Sequence, residues 1–159
     1  MRSSVSNNPG VKVPPPFLYL LGFIVAWVLE TRAKRIHIAR ENLYSLEIAG
    51  VILAAVGLIL VGWALITFAR AHTGILPIRP ATRIVSHGPY SITRNPMYTG
   101  LGITFLGAAL CLDFGWMIVM LPLVLIAIYV FVIRREEAYL MSAFPEEYGQ
   151  YRRKVRRWL

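Results

Sequence analysis

The stretch that decides the fold is residues 98–133, YTGLGITFLGAALCL-DFG-WMIVMLPLVLIAIYVFVI. Two apolar runs, Tyr98–Leu112 and Trp116–Ile133, flank Asp113-Phe114-Gly115, and those three residues suit a tight turn. The pair reads as a helical hairpin whose two free ends lie side by side. Upstream, Leu43–Phe68 is apolar apart from Ser45, Glu47 and Thr67, and reaches about 39 Å as a helix, enough for one tilted span. Phe17–Leu29 is a shorter run, adequate for a span if Pro14–Pro16 begin the helix in the headgroup layer. The whole chain agrees with this reading: 57% of its 159 residues are hydrophobic and 16% charged. A soluble domain carries about 45–50% and about 25%. Disorder is excluded by the same figures. A net charge of +9 would suit a nucleic-acid binder, but apolar stretches of membrane length would not, so no nucleic-acid partner is expected. One Cys makes no intrachain disulfide. The predicted architecture is all-α: a multi-pass transmembrane helical bundle of about four spans, surrounded by membrane lipids.

Residues 1–16, polar and Pro-rich, read as a flexible N-terminal arm, and 17–159 as a single membrane-embedded domain. Segment 31–42 is a basic connector, and 70–97 a long loop rich in Pro, Gly, His and Arg, of a length usually reserved for function. Orientation follows the Lys/Arg bias. Arg70, Arg79, Arg83 and Arg94 lie in that loop; Arg134, Arg135, Arg152, Arg153, Lys154, Arg156 and Arg157 lie in the tail; the 113–115 turn has none. Loop and tail are therefore expected in the cytoplasm, with the protein in the plasma membrane or, in a prokaryote, the inner membrane. The connector, with Arg32, Lys34, Arg35 and Arg40, then sits on the far side against the rule. In the tail, Pro145 suits a first helical position, Glu146 and Glu147 the positive helix end, and the basic residues the negative end. Tyr148, Tyr151 and Val155 form one stripe, which predicts a cytoplasmic C-terminal amphipathic helix able to lie on an anionic membrane face.

Three features converge where the hairpin's free ends meet: Gly88-Pro89-Tyr90 with Arg94-Asn95-Pro96-Met97-Tyr98, then Gly100-Leu101-Gly102, then Arg134-Arg135-Glu136-Glu137. Each has an ordinary explanation. Gly-x-Gly permits close helix packing, Arg94 is a positive-inside residue, and a Glu pair at a helix end is usually solvated. Together they offer a fixed cation, two carboxylates and accessible backbone, which suits a zwitterionic ligand. Glu47, near the start of the second span, reads as an interface residue, and Cys111 as a packing residue. His37, His72 and His87 lack metal-ligand spacing, so no metal is expected.

The segments GPYSITRNPMYTGLGITFLG and REEAYLMSAFPEEYGQYRRKVRRWL resemble the isoprenylcysteine carboxyl methyltransferases and the related phospholipid methyltransferases, over roughly residues 75–158. Three elements carry the resemblance: the Arg94–Gly100 stretch, the acidic pair, and the tail pattern Phe144, Glu147, Tyr148, Tyr151, Val155. It implies an integral membrane methyltransferase with S-adenosyl-L-methionine as cofactor and a lipophilic acceptor: an isoprenylcysteine-like carboxylate, a lipid amine or a small thiol. Carried over, it implies that Tyr90, Arg94, Asn95, Pro96, Tyr98, Gly100 and Gly102 line the cofactor site and that Glu136, Glu137, Tyr148 and Tyr151 close it. Arg94 and Glu137 are the expected catalytic pair, Arg94 orienting a carboxylate and Glu137 anchoring the amino or ribose end. Three departures stand out: Asn95 where the carboxyl methyltransferases often have His, Pro145 for a common Gly, and Arg156 for a frequent Pro. Two other classes compete. One is a small membrane accessory protein without catalysis; the other is a reductase, since membrane sterol reductases resemble this family near their C-termini.

Overall fold

The computed structural model describes residues 10–11, 13–38, 43–71 and 83–158. Six α-helices follow one another among them, and no strand occurs among the described residues. Helix α1 (Pro15–Arg32) starts on prolines, whose missing N–H groups would be unbonded in the first turn in any case. Helix α2 (Leu43–Arg70) follows the connector. A 3₁₀ turn (Gly88–Ser91) leads to α3 (Pro96–Leu112), which begins two residues before the apolar run. The expected turn is present: Asp113 adopts a left-handed conformation, and α4 (Gly115–Ile128) starts beyond it.

The chain does not break at Ile133. A π-helical turn (Tyr129–Ile133) carries α4 directly into α5 (Arg134–Ala143), giving one continuous helix over Gly115–Ala143. Helix α6 (Pro145–Lys154) then packs back on α5. The predicted tail stripe needs correction on two counts. Val155 lies past the helix in extended backbone, and Tyr148 and Tyr151 are buried inside the protein, so the aromatic face of α6 seats against its own chain. The arm reading of residues 1–16 also meets a difference. Residues 1–9 and 12 lie outside the described set, whereas Val11 is buried in the main apolar cluster and the Gly10 carbonyl accepts a bond from Arg135 Nη1 at 2.8 Å.

Two packing modes hold the bundle. Helices α2 and α3, the most extensive contact, meet backbone to backbone through glycines seven residues apart on each: Gly50 and Gly57 against Gly107 and Gly100. A Cβ on Gly50 would lie 2.6 Å from the Cys111 nitrogen and 2.7 Å from the Gly107 oxygen. Such small-residue seams let membrane helices approach closely where no hydrophobic force drives them together. Helices α1, α3 and α4 instead share an interdigitated core of Tyr19, Ala26, Phe105, Ala109, Met117, Val124 and Ile128. The outer faces stay apolar: Leu21, Val51, Ile59, Leu123 and Ile126 are all exposed.

Two helices are long and apolar enough to cross a membrane, Leu43–Arg70 and Gly115–Ala143. Their most apolar windows are only 17% and 28% buried within the protein, whereas a soluble core helix would be mostly covered. Helices α1 and α3, with 18 and 17 residues, reach about 25–27 Å against a hydrocarbon thickness of about 30 Å.

Candidate functional site

Residues 93–95 form the seat of the site, because the tail crosses them there. The Arg94 amide donates to the Arg156 carbonyl at 2.9 Å, and the Thr93 hydroxyl and Asn95 Nδ2 both donate to the Arg157 carbonyl, at 2.9 and 3.0 Å. Asn95 is therefore spent as a clamp on the tail; it starts α3 without capping it through its side chain. Pro96 is buried behind it.

Above this seat lies one carboxylate gripped by two arginines. Arg157 binds Glu137 with the fork of its guanidinium, Nε to Oε1 at 2.9 Å and Nη2 to Oε2 at 2.8 Å. Arg94 Nη1 shares Oε1 at 2.9 Å and also donates to the Tyr148 hydroxyl at 3.3 Å. The Arg94 side chain is 9% exposed and that of Glu137 15%, so these charge-assisted bonds sit in a medium that strengthens them. Glu136, adjacent in sequence and so turned about 100° around α5, faces α3, where its Oε1 accepts the Tyr98 hydroxyl at 2.7 Å. The Tyr151 hydroxyl donates to the Tyr90 carbonyl at 2.7 Å and ties α6 to the 3₁₀ turn.

Burial, above all, pushes the phenols of Tyr90, Tyr148 and Tyr151 upward; Glu136 adds to it at Tyr90 and Glu137 at Tyr148, while Arg94 opposes it at Tyr148 and Tyr151. All three remain neutral hydroxyls that can donate. The Glu137 carboxylate, through its hydrogen bonds, holds the Arg157 guanidinium still more firmly protonated. Two buried donors find no partner among the described residues: the Tyr90 hydroxyl and Arg94 Nε. An unpartnered buried donor is expensive, so a pair of them in one cluster points to a ligand. Beside the cluster, Thr99, Leu125, Ile126, Tyr129 and Trp158 line a largely apolar groove of about 480 Å³, and the Arg157 guanidinium lies 5.0 Å from the Tyr129 ring centre.

The structure thus brings together Tyr90, Arg94, Tyr98, Glu136, Glu137, Tyr148 and Tyr151. It does not bring the two glycines there. Gly100 lies against the Gly57 carbonyl and Val61 of α2, and Gly102 faces Tyr19 and Leu125, so both serve helix packing. Arg157, Thr93 and Tyr129 were invisible at the level of sequence: Arg157 is one of several cations in a run that reads as surface charge, and no spacing rule separates the one that turns inward.

Comparison with known proteins settles the lineage. The phospholipid methyltransferase family model matches residues 46–147, well over half the chain. The chain belongs to the phospholipid methyltransferase family. It is 39% identical over 72 residues to the protein-S-isoprenylcysteine O-methyltransferase of Schizosaccharomyces pombe, covering 45% of this chain and 30% of that protein. It is 29% identical over 108 residues to a probable protein-S-isoprenylcysteine O-methyltransferase of Oryza sativa subsp. indica, covering 67% and 56%. The chain therefore spans between about a third and just over half the length of these curated relatives. No solved structure shows significant similarity. The matched region contains both sides of the α2–α3 glycine seam, Arg94 and the acidic pair, but ends before Tyr148 and Arg157.

Proposed function

We propose that this family member is an integral membrane methyltransferase that uses S-adenosyl-L-methionine and acts on a lipophilic acceptor at the cytoplasmic face. The observation that carries the reading is the pair of buried donors without a partner among the described residues, Tyr90 Oη and Arg94 Nε, set beside two carboxylates and next to an apolar groove. The donor set fits the cofactor's amino-acid end: Tyr90 and Arg94 would take its carboxylate, and Glu136 and Glu137 supply acceptors for its ammonium or ribose hydroxyls. When bound, the cofactor supplies an electrophilic methyl group on a sulfonium. The chain's own contribution is alignment. Arg94, fixed through Glu137, sets the depth of the bound carboxylate, and the groove holds an apolar tail so that the acceptor's head lies near the same cluster. Oriented encounter of this kind lowers a displacement barrier by about 7–11 kcal/mol.

The test is thermal stability with S-adenosylhomocysteine, which should raise the melting temperature by mass action. Arg94→Ala and Glu137→Ala should each abolish most of that rise in protein that still folds. No rise in the wild type would favour an accessory protein without catalysis. A screen with methyl-labelled cofactor against prenylcysteines, ethanolamine phospholipids and hydrophobic thiols then identifies the acceptor.

A further inference from the structure

We infer that Arg157 is a positioning residue whose grip on Glu137 keeps the Nε donor of Arg94 free for a ligand; the inference deepens the functional reading above and rests on it for the ligand's identity. Arg157 ties the tail to three other parts of the site. Its guanidinium forks onto Glu137 of α5 through both carboxylate oxygens. The same group lies 5.0 Å from the centre of the Tyr129 ring in the π-helical turn. Its carbonyl is held by the Thr93 hydroxyl and Asn95 Nδ2, next to Arg94 itself.

Two arginines divide one carboxylate. A guanidinium beside a carboxylate prefers two parallel bonds, fork to fork. Arg94 does not make them. Its Nη1 takes Oε1 alone, its Nε has no partner among the described residues, and Oε2 belongs to Arg157. With the Arg157 fork gone, Oε2 opens and Arg94 can rotate to use Nε and a second nitrogen on Glu137, satisfying its buried donor internally. The site would then keep both residues of the Arg94–Glu137 pair and lose the donor that awaits the ligand. The tail beyond α6, anchored by residues 93–95, is thus the element that arms the site.

The experiment uses the full chain in detergent micelles. Arg157→Gln should weaken S-adenosylhomocysteine binding by about tenfold or more, the scale of one charged buried hydrogen bond. Glu137→Gln should weaken it as well, and the double variant should be no weaker than Glu137→Gln alone, because Arg157 acts through Glu137. Additive losses would overturn the inference. A second readout needs no ligand: the Arg94 Nε–H resonance in nitrogen-labelled protein, assigned through its loss in Arg94→Lys. It should move toward the carboxylate-bound position in Arg157→Gln, and an unchanged resonance would overturn the inference. If Arg157→Gln does not fold, Arg157→Lys replaces it, since a point charge cannot occupy both oxygens, and the same shift is expected. Absence of wild-type binding would overturn the cofactor reading, and the resonance would still decide the role of Arg157.

Discussion

At the scale of single residues, Tyr90 separates stability from binding. Its hydroxyl is buried with no partner among the described residues, so the folded chain bears a desolvation penalty that the phenyl ring alone would not. Tyr90→Phe should therefore raise stability by about 1 kcal/mol while weakening S-adenosylhomocysteine binding. A loss of stability would show that the hydroxyl is already satisfied, and unchanged binding would remove it from the site. The same burial predicts an alkaline limit. Burial holds the Tyr90 and Tyr151 protons far more tightly in the folded chain than in the unfolded one, where tyrosine ionises near pH 10. Above that pH the unfolded state binds fewer protons than the folded state. The stabilisation is thus complete below about pH 10 and is lost as pH rises beyond it. Melting curves from about pH 8 to about pH 11 should show a level region and then a fall, with a shallower fall in Tyr90→Phe. A melting temperature that holds level past pH 10 would mean these phenols are not shielded.

At the scale of elements, the glycines give the sharpest contrast. Gly57 and Gly62 occupy the same helix, yet a Cβ on Gly57 would meet the Gly100 carbonyl at 2.6 Å, while one on Gly62 meets nothing within 4 Å. Gly57→Ala should push α3 away from α2 and destabilise by about 1–3 kcal/mol. Gly62→Ala should be neutral or stabilise by up to about 1 kcal/mol. Equal melting temperatures for the two variants would refute the seam. This contrast also shows what the sequence could carry. The hairpin was legible because Asp113-Phe114-Gly115 interrupts two uncharged runs, and its geometry alone placed Glu136 and Glu137 near Arg94. The role of Gly100 was not legible, because Gly-x-Gly serves a flat ligand and a neighbouring backbone equally well, and only the facing Gly57 decides. Nor was the tail: Tyr148 and Tyr151 keep the spacing of a membrane-facing stripe, but Tyr90 and Arg94 supply polar partners that draw them inward. Continuity through the π turn was hidden because Arg134-Arg135 reads as the end of an apolar span, whereas backbone bonding is indifferent to side-chain charge.

At the scale of the whole molecule, the two ends of the bundle are chemically distinct, and each end gathers its own set of segments. One end collects Gly10 on Arg135, residues 93–95 on the tail, and the Arg94–Glu137–Arg157 cluster. The other end clasps the connector to the hairpin turn. The Ile38 amide donates to Asp113 Oδ1 at 2.8 Å, His37 Nδ1 lies 2.6 Å from Asp113 Oδ2, and Trp116 Nε1 donates to the Lys34 carbonyl at 3.1 Å. Between the ends runs the helix from Gly115, whose first nineteen or so residues reach about 28 Å, close to the apolar thickness of a bilayer. The proposal of four crossing helices requires that residue 13, just before α1, lie on the same side as residue 153, and that residue 34 lie opposite. The Lys/Arg count, eleven in the loop and tail against four in the connector, is the ground on which we propose that the first side faces the cytoplasm. With Cys111→Ser removing the native thiol, Val13→Cys and Arg153→Cys should react with an impermeant thiol reagent only from the cytoplasmic face, and Lys34→Cys only from the other. If residues 13 and 34 react from one side, α1 does not cross, and the bundle is anchored by fewer spans than its four apolar helices imply.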